Sequence, residues 1–201
     1  MNFTEFSKYA YRDVCRPFKT ILCCTIAFVL VSLYPSDHSI RLGEAAPTDV
    51  QKVARWTDDY GRFAITALQV ALPILLADKV GLVQLAFVAV STTVGTHSIK
   101  RLTNSWMINN TRLGQRPSSA ESKHNIPSGH SSMASCGAFF VCRRYGMRYA
   151  LFVIPAMLLT MFARVVLDAH TISAVLSGGL LGLIFTLLFT SRYVAAPNLK
   201  T

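Results

Sequence analysis

VGLVQLAFVAVSTTVGTHSI, residues 80–99, is a twenty-residue stretch without a charged side chain. The hydrocarbon core of a bilayer is about 30 Å thick and takes about 20 mostly apolar residues to cross as a helix. This stretch is long enough to do so. Whether the chain forms a soluble bundle or a membrane bundle turns on how many such runs accompany it.

Five others do, at residues 20–34, 63–77, 128–142, 149–167 and 171–190. Pro73 predicts a kink in the second of the six runs. Several runs hold about 15 residues, a shortfall that costs only fractions of a kcal/mol per Å of mismatch. Six runs leave too little polar surface to cover a soluble bundle. Composition agrees, with 52% hydrophobic and 15% charged residues and a mean hydropathy of +0.39. Soluble domains carry about 25% charged residues. The expected architecture is all-α: a six-transmembrane-helix integral membrane bundle forming a single domain over residues 1–201. The first run follows a basic N-terminus, as a signal peptide does, and Ala45 and Ala46 supply small residues. They lie well beyond the apolar core, past Asp37, His38 and Arg41, so the segment is expected to stay as a helix.

The net charge is +10. On a soluble protein that balance would suggest nucleic acid. Here it suggests basic loops flanking membrane helices, and no nucleic-acid or protein partner is expected. An N-terminus in the cytoplasm places Lys8, Arg12, Arg16, Lys19, Lys79, Arg143, Arg144, Arg148, Arg192 and Lys200 inside. An equal number fall outside. Dense short segments such as RRYGMR, residues 143–148, weigh the balance toward N-in. The long loops around residues 35–62 and 100–127, with the tight connection at 168–170, then face outward. The five cysteines, Cys15, Cys23, Cys24, Cys136 and Cys142, sit in apolar runs or near inner ends and read as free buried thiols.

Three clusters share the outer face: RLGQRP at 112–117, PSGH at 127–130 and RVVLDAH at 164–170. Pro127 and Ser128 mark a helix start, Ser128 as a good N-cap. Gly129 lets backbone approach a ligand. The free N–H groups of that first turn make an anion site, and His130 stands in it. Arg116 and Arg164 add guanidiniums that fork onto phosphate oxygens. His170 can attack phosphorus, and a second histidine can protonate the departing oxygen. These are the parts of a metal-free phosphoryl-transfer site. No cofactor is expected, because no carboxylates gather near the clusters to hold a cation such as Mg²⁺.

At this point the chain resembles the type 2 phosphatidic acid phosphatases. In words, their signature is Lys, six residues, Arg-Pro; then Pro-Ser-Gly-His; then Ser-Arg, five residues, His, three residues, Asp. The matching positions are Arg116-Pro117, residues 127–130, and Arg164 with His170. RLGQRP, PSGHSSM, ARVVLDAHTISAVLSG and the terminal LFTS resemble more narrowly the bacterial lipid A 1-phosphatases. The resemblance implies a multi-pass inner-membrane enzyme with its site facing the periplasm. It makes His170 the nucleophile and His130 the general acid, with the motif arginines, Ser128 and Gly129 holding phosphate.

There are three departures. Asn109 stands at the motif lysine position, and Lys100 is suggested for its role, with Arg101 or Arg112 as rivals. Ala163 replaces the motif serine. Ala174 stands where the family has the aspartate that orients the nucleophile. Asp168, two residues before His170, is proposed to supply the missing carboxylate; the other reading is that it caps or pairs with Arg164. His38, His97 and His124 are assigned no role.

The expected substrate is the phosphate of a lipid, with lipid A 1-phosphate first on resemblance. Undecaprenyl pyrophosphate, phosphatidylglycerophosphate and phosphatidic acid are alternatives, as is phosphotransfer to a second lipid. Arg41, Lys52, Arg55 and Arg62 are either solvated or contacts for a further phosphate. A transporter would place polar residues in several helix centres; Gln69 and Gln84 are the main ones here. A structural membrane scaffold would need none of the three clusters.

Overall fold

In the computed structural model, residues 16–36, 38 and 41–193 are described, with positions 4, 8, 10 and 14 ahead of them. Helix α1 is Phe18–Ser32. The short helices α2, Leu42–Ala45, and α3, Thr48–Trp56, follow, and a π-helical turn, Thr57–Gly61, leads into α4, Arg62–Leu75. Helix α5 is Lys79–Thr103. A two-stranded hairpin, β1 Met107–Ile108 and β2 Thr111–Arg112, opens the next loop. Helix α6 is Gly129–Tyr145, a 3₁₀ turn covers Met147–Tyr149, α7 is Ala150–Val166 and α8 is Ile172–Phe189.

Each apolar run therefore became a helix, with ends moved by a few residues. The expectation of six spans meets a narrower finding. Among the described residues, three helical stretches are long and apolar enough to cross a membrane: Lys79–Thr103, Met147–Val166 and Ile172–Phe189. Phe18–Ser32 is apolar but shorter. Helix α4 has 14 residues, and α6 is interrupted by Gly, Ser and paired Arg. The fold is helical apart from the hairpin. The loop between α1 and α4 holds α2 and α3, which sequence patterning did not reveal.

Helices α6 and α8 pack most closely, and their small residues explain why. A Cβ at Gly178 would strike the Ser128 carbonyl and the Ser131 side chain, and one at Gly182 would strike Ser132 and Cys136 backbone. Across this seam Ser135 Oγ donates to the Gly179 carbonyl at 2.6 Å, and Thr186 Oγ1 to the Cys136 carbonyl at 3.3 Å. The main core lies between α4, α5, α6 and α7, around Ile65, Val88, Phe140 and Val153. Apolar residues such as Leu22, Val90, Leu151 and Phe162 face outward, as lipid contact requires.

Both ends of the bundle are tied. Ser36 and Ser173 share a hydrogen bond of 2.8 Å, so α1 runs toward the start of α8. At the opposite end Asp78 caps α5 through the Gly81 N–H and accepts from Arg144 Nε and Nη2, each at 2.5 Å, and from Tyr145 Oη. Arg144 also reaches Gln84 and Ser191. Arg144 is thus a buried, paired cation and not a solvated loop charge, and Gln84 belongs to its network. Cys136 and Cys142 are buried, whereas Cys23 is exposed and Cys24 half-buried, all four with free thiols; Cys15 lies outside the described residues.

Candidate active site

The end of the bundle at Lys100, Gly129, Arg164 and His170 opens into a cavity of about 710 Å³. Its walls include Lys100, Arg116, His124, Gly129, His130, Arg164 and His170, with Phe63, Thr93 and Met133 as apolar surface. Four separate segments supply these groups, so the fold brings together three clusters that are far apart in sequence.

Lys100 stands in the last turn of α5 and is 7% exposed. Its Nζ donates to the His124 carbonyl at 2.6 Å. Of the three cations weighed for the motif lysine, Lys100 is the one in the cavity wall. Arg101 is exposed. Arg112 clamps the loop, donating to the carbonyls of Asn104, Ala120 and Ser122. Arg116 is held by that loop and donates from Nη2 to the same His124 carbonyl at 3.2 Å. His97 and His124, assigned no role from sequence, also line the cavity.

The PSGH turn is pinned onto α8, where the Ser128 N–H donates to the Ala174 carbonyl at 2.7 Å. Ser128 Oγ caps α6, accepting from the Ser131 N–H at 3.4 Å. Ser128 therefore shapes the helix start and does not form the cavity wall. Gly129 does form it, and a Cβ there would meet only Thr96 at 3.9 Å, so the missing side chain leaves space on the cavity side.

Arg164 ends α7. Its Nη1 donates to Asp58 Oδ1 at 2.7 Å, a carboxylate on the π-helical turn that the sequence did not single out. The Nε atoms of Arg164 and Arg116 are buried without a protein partner among the described residues. A buried guanidinium N–H left unpaired is costly, and both side chains line the cavity.

His170 is 2% exposed and sits between α7 and α8. Burial, and then the charges of Lys100, Arg116 and Arg164, hold its pKa well below the usual imidazole range. It is therefore neutral at neutral pH, the form that carries a nucleophilic lone pair. The expected partnership with Asp168 is replaced by a different one. Asp168 takes a left-handed backbone conformation, φ 51°, and its carboxylate accepts from the Gly43 N–H at 3.1 Å. The group at His170 Nδ1 is instead Asn125 Oδ1, at 3.3 Å. Asp168 does not pair with Arg164 either, since Asp58 holds that position. Asn125 went unnoticed because Asn is an ordinary loop residue; its place immediately ahead of IPSGH was the only hint.

Of the basic residues between α1 and α4, Arg41 and Lys52 form surface pairs with Glu44 and Asp49, and Arg55 is exposed. They stand apart from the cavity wall.

Residues 81–197 match the PAP2 superfamily. The chain is 38% identical over 173 residues, 86% of its length and 88% of the relative's, to "Lipid A 1-phosphatase" of Helicobacter pylori strain 26695. Identity to the protein of the same name in strain J99 is 39% over 173 residues, covering 86% and 87%. A shorter likeness, 48% over 68 residues and 34% of each chain, joins it to "Lipid A 4'-phosphatase" of strain J99. No solved structure matches the chain.

Proposed function

The chain belongs to the PAP2 superfamily, and on that premise we propose that it is a lipid A 1-phosphatase of the bacterial inner membrane, acting at the periplasmic face through a phosphohistidine. The observation that carries this is the cavity itself. His130 and His170 meet Lys100, Arg116 and Arg164 there. The relatives that match over most of the chain are named for removal of the lipid A 1-phosphate.

Each residue has a role in the proposed reaction. The phosphate lies against the first turn of α6, where N–H groups and the helix dipole favour an anion. Gly129 leaves room for it. Lys100, Arg116 and Arg164 meet the charge on the equatorial oxygens. The His170 Nε2 lone pair attacks phosphorus as the P–O bond to the sugar breaks, and His130 gives its proton to the departing oxygen. Water then attacks the phosphorus, His130 takes back a proton, and the P–N bond breaks to release inorganic phosphate.

The membrane placement rests on the same fold. Helices α1, α4 and α6 are proposed as shorter spans beside the three long ones, giving six. The end remote from the cavity carries Lys79, Arg143, Arg148 and Arg192, which suits the cytoplasmic side. The lipid chains then stay in the bilayer while the headgroup enters the cavity.

Phosphate release by purified protein in detergent with excess EDTA tests this reading. Lipid A, undecaprenyl pyrophosphate, phosphatidylglycerophosphate and phosphatidic acid are compared, each beside His170→Ala. Release from lipid A, abolished in the variant, is expected. Preference for another lipid would replace the substrate, and release only when an acceptor lipid is added would make the protein a phosphotransferase.

A further inference from the structure

The motif aspartate is absent, yet His170 is not left without a hydrogen-bonding partner. Residues 125–128 run alongside the first turn of α8. Asn125 meets Thr171 at one end of this contact, and the Ser128 N–H meets the Ala174 carbonyl at the other. Ala174 is fully buried in a small apolar cluster with Leu113 and Ile126. A carboxylate at 174 would be desolvated among them. The polar group comes from the opposite strand of chain instead.

Asn125 is 1% exposed, and its orientation is fixed by chemistry. The Thr171 backbone N–H can only donate, and it donates to Asn125 Oδ1 at 3.2 Å. The Nδ2 group then faces Thr171 Oγ1 at 3.2 Å, an atom that can accept. The flipped amide would set N–H against N–H, so Oδ1 is the atom beside His170. An amide oxygen can only accept, so His170 Nδ1 must carry the proton. The Asn125 N–H is itself anchored on the Gly114 carbonyl at 3.2 Å, and Gly114 allows that approach because a Cβ there would collide with Asn104 and Lys123 backbone.

We infer that Asn125 is the positioning residue for His170, holding the imidazole as the Nδ1–H tautomer so that Nε2 presents its lone pair to phosphorus. Asn125 takes over the orienting task of the motif aspartate from another segment, and it does so without a negative charge. This rests on His170 being the nucleophile. The titratable or charged groups that line a cavity with His170 are His97 and Lys100 from α5, Arg116 and His124 from the preceding loop, His130 from α6, Arg164 from α7, and Asp168, whose carboxylate accepts from the Gly43 N–H. The group hydrogen-bonded to Nδ1 is neutral, so it does not offset these cations as a carboxylate in its place would.

The test uses full-length protein in detergent. In ¹⁵N-histidine-labelled protein, the resonances lost in His170→Gln assign the ring; protonated Nδ1 and bare Nε2 are expected. Asn125→Ala is expected to lower kcat on lipid A by about 10²-fold or more, toward the roughly 10⁴-fold lost when a catalytic histidine is left in the wrong tautomer, with KM within about threefold. Asn125→Asp is expected to retain turnover at alkaline pH and to move the acid limb of kcat/KM upward by about one pH unit or more, since a carboxylate favours imidazolium. A purely structural Asn would give no such shift. An Nε2–H tautomer in the wild type, unchanged kcat in Asn125→Ala, or an acid limb unmoved in Asn125→Asp would each overturn the inference. If Asn125→Ala does not fold, the wild-type tautomer decides. Activity surviving His170→Ala would instead remove the nucleophile reading, an outcome the tautomer measurement does not depend on.

Discussion

Lys100 Nζ and Arg116 Nη2 both donate to one backbone oxygen, the carbonyl of His124, at 2.6 and 3.2 Å. Two cations held on a single neutral acceptor have no counter-charge between them. Like charges so placed repel, and an anion in the cavity relieves the repulsion. Lys100→Met should therefore lower kcat/KM by about 10²-fold, the typical loss for one preorganised electrostatic contact. Arg101→Ala should stay within about threefold. Steady-state kinetics on lipid A decide it, and comparable losses in both variants would remove the special place of Lys100.

The Asp58–Arg164 pair fixes the guanidinium through Nη1, while Nε has no protein partner among the described residues. Asp58→Ala should weaken catalysis by about tenfold, mainly through KM, while Arg164→Ala should cost about 10²-fold or more. Equal effects would mean that Asp58 does more than orient Arg164.

Asp168→Asn separates the two candidate orienters. The carboxylate of Asp168 accepts the Gly43 N–H, and an amide oxygen can do the same. Turnover within about threefold of wild type is expected. A loss in kcat as large as that of Asn125→Ala would restore Asp168 to the relay.

The pH dependence follows from His170. Its folded pKa is depressed, first by burial and then by Lys100, Arg116 and Arg164. In the unfolded chain the imidazole titrates near 6.5. Below that value the unfolded state binds a proton that the folded state refuses. The stability contribution is thus complete above about pH 6.5 and is lost as pH falls from there through the folded value. Thermal unfolding in detergent between pH 8 and pH 5 should show this slope, and His170→Gln should flatten it. The acid limb of activity in the free enzyme should fall below pH 6.5 for the same reason.

At the far end of the bundle, removing one partner of a buried ion pair leaves the other uncompensated. Asp78→Ala should destabilise the fold by about 3–5 kcal/mol, read from thermal unfolding, since it strands Arg144 and removes the N-cap of α5. Stability unchanged within error would contradict the described network.

Sequence patterning located the helices because burial and lipid exposure both demand long apolar runs, and each of the six runs became one. It missed α2 and α3, which are short and lie in a polar loop. It pointed to Arg116, His130, Arg164 and His170, which line one cavity, because phosphate chemistry calls for such residue types at fixed spacings. It could not find Asp58 or Asn125. Their partners, Arg164 and His170, lie 106 and 45 residues away, and neither residue type is unusual in a loop. Asp168 misled because nearness along the chain was taken for nearness in space. Its left-handed backbone sends the carboxylate to Gly43.

Removal of the 1-phosphate of lipid A is the reaction proposed for this cavity. Mass spectrometry of lipid A carrying both the 1- and 4'-phosphates, after incubation with purified protein or its His170→Ala variant, tests it most directly. Loss of the 1-phosphate alone, absent with the variant, is the expected result. Loss of the 4'-phosphate, or intact lipid A under conditions where another lipid phosphate is hydrolysed, would contradict it.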